Sequence, residues 1–575
     1  MSLNANPFTD RRGFLGVGMA AGAIGSLALP ALAARRAALQ EGSLDVAYVN
    51  ARIWTAQGPA HRSDAIGIIG EHIAALGQGA VKARTTSKTR VIDLDGAFVT
   101  PGFTDCHVHF VIGSTQLSEP SLRDAKDRAD FVARVAVAAK LLPKGEWLQG
   151  GQWDADRWGG ELPRRDWIDA VTPDTPVAVT RYDLHMVLLN SAALAKLGLD
   201  RHTPDVPGGV IGRDANGELT GIFKDAACFA ITNRIGTPSP ERMDAIVKQG
   251  ISNALSKGVT QVHCPELDWN TFDSLTRIRA QEKTENGETG LRFYVFTPLK
   301  DWERTAEIVR TKGSGDAWFR WGASKVVLDG SLGSRTAWFY DAYLDDPSTH
   351  GILVTNPDDL ARWMAGADKA GLQVACHAIG DHANDLALNT MQQVAANNGP
   401  RDRRFRIEHA QHLRPDAIPR FAQQGVIASV QPYHAVDDGR WAIRRIGPER
   451  LKTTYAFRSL LDTGAHVCFG SDWPVAPIDP LTGLKAAVLR ETLDGANPQG
   501  WYPEQRVPMA TAMASYTRGA AYAGFSESWQ GVLMPGMIAD LAIFDRDLFA
   551  IDPETLTDAK VLRTVVGGKE RFVAA

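Results

Sequence analysis

Three observations predict an α/β fold, a closed (β/α)8 barrel carrying a small split β-sandwich. Eight short apolar segments alternate with helical patterns through the middle of the chain. Strand-like segments too small to bury a core of their own stand at both ends. No glycine-rich dinucleotide loop follows any central strand, which disfavours the doubly wound open sheet, the nearest alternative.

Taken in order, residues 1–35 read as a twin-arginine export signal. Arg11-Arg12-Gly13-Phe14-Leu15 precedes a Gly/Ala-rich run from Gly16 to Leu29, and Pro30 then precedes the small-x-small pattern Ala31-Leu32-Ala33. The run is too short and too rich in glycine for a membrane span, which needs about 20 strongly apolar residues. Residues 45–100 and 530–575 both alternate in the period of strands, and the two ends are expected to pair into one composite sandwich. Residues 101–529 form the barrel. Its strands are placed at 103–109, 258–264, 291–296, 323–329, 372–377, 405–409, 426–431 and 465–472. The gap after the first strand far exceeds the roughly 30 residues of one βα unit, so an insertion is expected at about 112–255. Because it follows a strand's C-terminal end, it emerges on the face where barrel active sites form. Its Trp147, Trp153, Trp158 and Trp167 either line an apolar substrate pocket or build the insertion's own core.

The 575 residues are 44% hydrophobic and 22% charged, with a formal charge of −4. The mature region shows no basic stripe, which argues against nucleic acid as a partner. It also contains no apolar run long enough for a stable membrane anchor. Five cysteines, Cys106, Cys228, Cys264, Cys376 and Cys468, cannot all pair, and all but Cys228 lie in apolar strand-like runs. Free buried thiols are expected. That suits a chain exported already folded to the periplasm by the twin-arginine machinery. The sequence leaves the oligomeric state open, and the homodimer is the commonest assembly in general.

His107 and His109 carry the strongest chemical signal. Residues i and i+2 of a strand face one side, so both imidazoles project together into the barrel, where they can share a divalent ion. Pro101-Gly102-Phe103-Thr104-Asp105 before them makes the pair far rarer than a chance His-x-His. His377, His409 and Asp472 end the fifth, sixth and eighth strands, and Lys325 lies in the fourth. Any one of these is ordinary as a packed core residue. Four histidines, an aspartate and a lysine in register at strand ends point to a metal centre.

Pro101 to His109, His377-Ala378-Ile379-Gly380-Asp381, Ile407-Glu408-His409 and Gly470-Ser471-Asp472-Trp473-Pro474 resemble the amidohydrolase superfamily. Residues 328–337 after Lys325, Arg181 to His185, and Asn190-Ser191 narrow the resemblance to its amidohydrolase 3 subfamily. The resemblance implies one or two divalent ions, most simply zinc. His107, His109 and Asp472 would hold the inner ion, His377 and His409 the outer one, and Lys325 would bridge them as a carbamate. Lys224 is the rival lysine. Without a carbamate, a mononuclear site of His107, His109, His377 and Asp472 is the better description. Asp472, His377 and His409 are the catalytic residues implied, with Asp472 moving the proton from water to the leaving amine. His185, Arg335, Asp381 and His434 are placed as substrate contacts, with His382 and His412 behind them. The activity implied is hydrolysis of a non-peptide C–N bond in an amide, formamide or cyclic amide of a small molecule. A metal-dependent deaminase and a non-catalytic periplasmic binding protein are the alternatives. The tryptophans suggest an apolar or aromatic substituent.

Overall fold

The computed structural model describes Leu39 and residues 41–575, apart from 59–61, 118, 120, 143–144, 237–238 and 285–289. The twin-arginine segment lies outside the described residues.

All eight barrel strands stand where the sequence places them. They are Phe103–Asp105, Val259–Pro265, Arg292–Pro298, Phe319–Val327, Gln373–Ala378, Arg406–His409, Ile427–Val430 and Val467–Phe469, each parallel to the next in chain order. The ring closes through Cys106 N to Phe469 O at 3.1 Å, Asp472 N to His107 O at 2.7 Å and His109 N to Trp473 O at 2.8 Å. Strands covered on both faces are buried along their length, which is why they read as near-continuous apolar runs rather than alternating ones. The outer helices carry their own signals. Helix Pro357–Lys369 starts on an Asn356 cap to Asp358 N, has Pro357, Asp358 and Asp359 in its first turn, and ends at Lys369. It turns Leu360, Met364 and Ala367 inward, one helical stripe into the main core.

The sandwich has two sheets. One is built wholly from the N-terminal segment, in the order His72–Leu76, Ile66–Ile69, Val46–Val49, Arg90–Asp93. The other is shared. Leu541–Phe544 pairs antiparallel with Phe98–Pro101, which joins Arg52–Trp54 and Arg62–Ser63 on one side to Val561–Val566 and Lys569–Val573 on the other. Ile53, Ile66, Ile68, Val99, Leu541, Ile543 and Val565 fill the space between the sheets. Asp540 ties the sandwich to the barrel. It accepts from Arg292 Nε at 2.7 Å and Nη2 at 3.1 Å, with both side chains buried and Trp318 stacked on the guanidinium.

The insertion folds around a five-stranded sheet ordered Gly209–Arg213, Leu219–Asp225, Met186–Leu189, Val177–Arg181, Leu148–Trp153. Buried Asn190 pins it. Its carboxamide oxygen accepts from Val177 N and Ala193 N, and its nitrogen donates to Thr172 O and Thr175 O. Trp153 and Trp167 are buried in the insertion's own core, Trp158 packs against that core, and Trp147 packs with the cluster on the other face of the sheet. They are structural, so they give no reason to expect an aromatic substrate. Helix Pro240–Ser256, inside the range expected for the insertion, packs instead on helix Phe110–Gln116 and the second barrel strand. The approach to Phe110–Gln116 is close enough that a Cβ at Gly250 would collide with Ser114 Oγ. All five cysteines are free and buried. No helix among the described residues is long and apolar enough to cross a membrane.

Candidate metal centre

His107 and His109 lie just beyond the regular pairing of the first strand, where Val108 still bridges Trp473. Their side chains converge regardless. His107 Nε2 stands 3.4 Å and His109 Nε2 3.3 Å from the same Asp472 Oδ1. Asp472 and His409 both adopt left-handed backbone, φ 61° and 75°, His409 as the last residue of its strand and Asp472 in the segment just past Val467–Phe469. Such conformations cost of order 1–3 kcal/mol and persist where surrounding structure enforces them, commonly at functional sites. His409 lies with its ring centroid 4.9 Å from that of His107 and 4.5 Å from that of His377. His434, which follows the seventh strand, brings Nε2 to 3.8 Å from Asp472 Oδ2.

Two donor groups result, His107, His109 and Asp472 on one side and His409, His434 and Asp472 on the other. His434, placed by the sequence among substrate contacts, thus joins the second group, while His377 Nε2 lies 3.2 Å from Gly330 O. The buried atoms His107 Nε2, His434 Nε2 and Asp472 Oδ1 have no hydrogen-bond partner. Buried polar atoms are rarely left so. Imidazole nitrogens and carboxylate oxygens left open and converging form a donor set that fits a divalent cation.

The surroundings fix which nitrogens are open. His107 Nδ1 is 2.7 Å from Glu408 Oε2, and Glu408 accepts from Arg406 Nε at 2.8 Å, all three side chains fully buried. Arg406, with His107 behind it, outweighs burial and holds the Glu408 carboxyl far below its usual range, so His107 Nδ1 is the donor and Nε2 faces the site. His409 is oriented alike, Nδ1 to Gln431 Oε1 at 2.9 Å. Burial, then the Lys325 charge, pushes His107 down to about 4, and burial holds His377 and His409 well below the ordinary histidine range. His109 differs. Burial lowers it, but the carboxylates of Asp472 and Glu266 more than offset this and raise it to about 9. Burial opposes ionisation of Asp472 too, yet His107 and its fellow histidines keep its carboxyl well below the usual range.

The two lysines separate. Lys325 is buried among these groups, and its charge acts on His107, His377, His409 and Glu408. Burial lowers its amine to about 8. Lys224 is lowered to about 8 as well, by burial and then Arg335, but it donates to Ser334 O at 3.1 Å in the wall outside the histidine cluster.

Above the centre lies a cleft of about 440 Å³, partly open to solvent. The insertion contributes Arg181, Tyr182, Asp183 and His185 to it, a later loop contributes Gln411, and the end of helix Pro432–Asp438 contributes Asp437 and Asp438. His185 and His434 line it as the sequence suggests. His185 Nδ1 sits 2.8 Å from Asp225 Oδ1; burial lowers this histidine, but Asp225 and Asp183 prevail and raise it. Arg335 and Asp381, expected to touch substrate, are absent from the lining. Arg335 is bonded to Asp345 at 2.9 Å, and Asp381 accepts from Tyr340 N at 3.1 Å. His382 is stacked between Trp338 and Tyr340, and buried His412 bonds Thr454 Oγ1 at 2.8 Å. Asp183, Tyr182, Gln411, Asp437, Asp438 and Glu266 escaped sequence reasoning. Tyr182 and Asp183 lie within the Arg181–His185 motif, and Gln411, two residues past His409, and Asp437 and Asp438, three and four past His434, carried a positional hint.

The chain matches the model of the family described as the amidohydrolase family over residues 90–572. It is 38% identical to Protein LONG AFTER FAR-RED 3 of Arabidopsis thaliana, across 92% of this chain and 91% of that protein. Identity to N-substituted formamide deformylase of Arthrobacter pascens is 27%, across 92% of this chain and 98% of the relative. An uncharacterized metal-dependent hydrolase from Pyrococcus horikoshii superposes with a TM-score of 0.71 at 29% identity, covering 88% of this chain and 99% of that one.

Proposed function

Because the chain belongs to the amidohydrolase family, we propose that it hydrolyses a non-peptide C–N bond, in an amide, formamide or cyclic amide of a small molecule. The observation that carries this reading is the set of buried, unpartnered donor atoms on His107, His434 and Asp472 beneath an open cleft. The formamide deformylase among its relatives supports the bond type.

His107, His109 and Asp472 would hold one ion, and His409 with His377 or His434 a second, zinc being the metal favoured by the imidazole-rich set. Bound divalent ions supply a water acidified to a pKa of about 7 and a polarised carbonyl. The chain does the rest. Asp472 accepts the attacking water's proton at its carboxylate and returns it to the departing nitrogen. His185, raised by Asp225 and Asp183 against its burial, lines the cleft and would stabilise the charge that develops on the carbonyl oxygen. Lys325, lowered to about 8, keeps an unprotonated fraction at neutral pH; its amine could add carbon dioxide with release of one proton, and the resulting carbamate would offer oxygen ligands to the ions. Arg11-Arg12 supports export of the folded chain to the periplasm.

Metal analysis of the purified protein with a panel of amides and formamides tests the reading. About two equivalents of metal, lost in both His107→Ala and Lys325→Ala, with turnover of a C–N substrate, is the expected result. One equivalent untouched by Lys325→Ala would turn the assignment towards a mononuclear deaminase. Absence of stoichiometric metal in folded protein would overturn it.

A further inference from the structure

We propose that the cleft selects a substrate bearing a cationic group, an ammonium or amidinium, and that Asp438 is the residue that receives it. The inference rests on the cleft being the hydrolytic site, and it names the substrate class that site takes.

Four carboxylates line the cleft, Asp183, Asp437, Asp438 and Asp472, against a single guanidinium, Arg181. Three of the four are already matched. Asp183 accepts from Arg181 at 2.5 Å, and Arg181, itself 1% exposed, is shared with Asp156 at 2.9 Å. Asp437 is held by Arg123 at 2.7 Å and by Arg440. Asp472 is committed to the histidines.

Asp438 stands apart. It is nine-tenths buried, and its Oδ2 accepts only from neutral donors, Tyr455 OH at 2.6 Å and Gln411 Nε2 at 3.0 Å. Among the described residues it forms no ion pair. Burial pushes its carboxyl up to about 7; the Tyr455 bond and the more distant Arg181 and Arg440 charges oppose this and Asp437 adds to it, so on balance the site disfavours a bare carboxylate there. A buried charge becomes favourable when a partner charge and hydrogen bonds arrive together. A substrate cation entering the cleft supplies both, and the Tyr455 and Gln411 donors hold the carboxylate for it. The remaining wall also carries Tyr182, His185 and Ser331. Leu332, Ile379 and Val475 are its aliphatic contacts, and no tryptophan reaches it.

The test uses metal-loaded full-length enzyme and two formamides of equal reach, N-(3-aminopropyl)formamide and N-butylformamide, which differ in ending in ammonium or methyl. The acetamide pair, N-(3-aminopropyl)acetamide and N-butylacetamide, is checked for turnover and then measured by calorimetric binding in enzyme stripped of metal wherever it is hydrolysed. A charge-assisted contact worth about 1.5–3 kcal/mol corresponds to roughly a ten- to hundredfold preference for the ammonium member. Asp438→Asn is expected to erase most of that ratio, read as kcat/KM for the formamides and as Kd for the acetamides. Equal or inverted preference in the wild-type enzyme overturns the inference, whether or not the variant folds. A preference that survives intact in a folded, metal-loaded Asp438→Asn overturns Asp438 as its source. Turnover of neither formamide, with the acetamide binding preference present, refutes formamide hydrolysis and leaves cation selection standing.

Discussion

Glu408→Gln is the most informative perturbation of the metal centre, because the carboxylate touches no substrate and yet orients the first ligand. Both its oxygens are in use. Oε1 takes Arg406 Nε at 2.8 Å, while Oε2 takes Arg406 Nη2 at 3.2 Å and His107 Nδ1 at 2.7 Å. A glutamine keeps one acceptor and turns an NH2 towards donors it cannot serve. One charge-assisted bond is lost, worth about 1.5–3 kcal/mol, and a buried donor is left unsatisfied at about 1–3 kcal/mol. The sum agrees with the roughly 3–5 kcal/mol seen when one partner of a buried ion pair is removed. Freed from its anchor, His107 can turn Nε2 away from Asp472, and loss of such outer support typically weakens metal affinity about 10–100-fold. Denaturant unfolding of the metal-free protein and competition with a chelating indicator measure the two effects separately. Metal affinity equal to wild type, with an unchanged unfolding midpoint, would refute the argument that Arg406 and Glu408 set the tautomer of His107.

Asp540→Ala should destabilise the fold by about 3–5 kcal/mol, since it strands the fully buried Arg292 guanidinium; the Arg292→Met/Asp540→Leu pair should recover much of this in denaturant melts. The His185–Asp225 contact raises the histidine above its ordinary 6.5, so its contribution is complete below that pH and is lost as pH rises through the folded value. In His185→Asn the thermal midpoint of metal-free protein should lose this slope, and profiles running parallel to wild type would contradict it. Arg335→Ala and Asp381→Ala should leave KM for any substrate essentially unaltered, because both side chains serve loops outside the cleft; a large rise in KM would return them to the substrate site.

The barrel was legible because its strands are short apolar runs that end on or near residues able to ligate a metal. His377, His409 and Asp472 could be placed at strand ends from sequence, and the i, i+2 rule for His107 and His109 predicted a convergence that holds although neither lies in the regular ladder. What sequence withheld was the cleft wall. Asp183, Gln411 and Asp438 sit in loops or at a helix end, where no periodicity marks direction, and only tertiary contact shows which carboxylates already have a cation. Arg335 misled for the same reason. A basic residue beside glycine and serine after a barrel strand looks like a substrate clamp until Asp345 is seen bonded to it. The tryptophans were ambiguous because burial in a small core and exposure to a pocket demand the same apolar surface.

The sheet shared between the two ends imposes an order on biosynthesis. Strand Phe98–Pro101 leaves the ribosome early and runs directly into the first barrel strand, yet its neighbour Leu541–Phe544 is translated near the very end. Until then the edge that will receive it stays open, and the Asp540 clasp on Arg292 cannot close. The shared sheet therefore cannot form until Leu541–Phe544 has emerged. A message truncated before codon 540 thus yields a chain whose first sheet can form but whose second lacks Leu541–Phe544, Val561–Val566 and Lys569–Val573, with Arg292 left without its carboxylate.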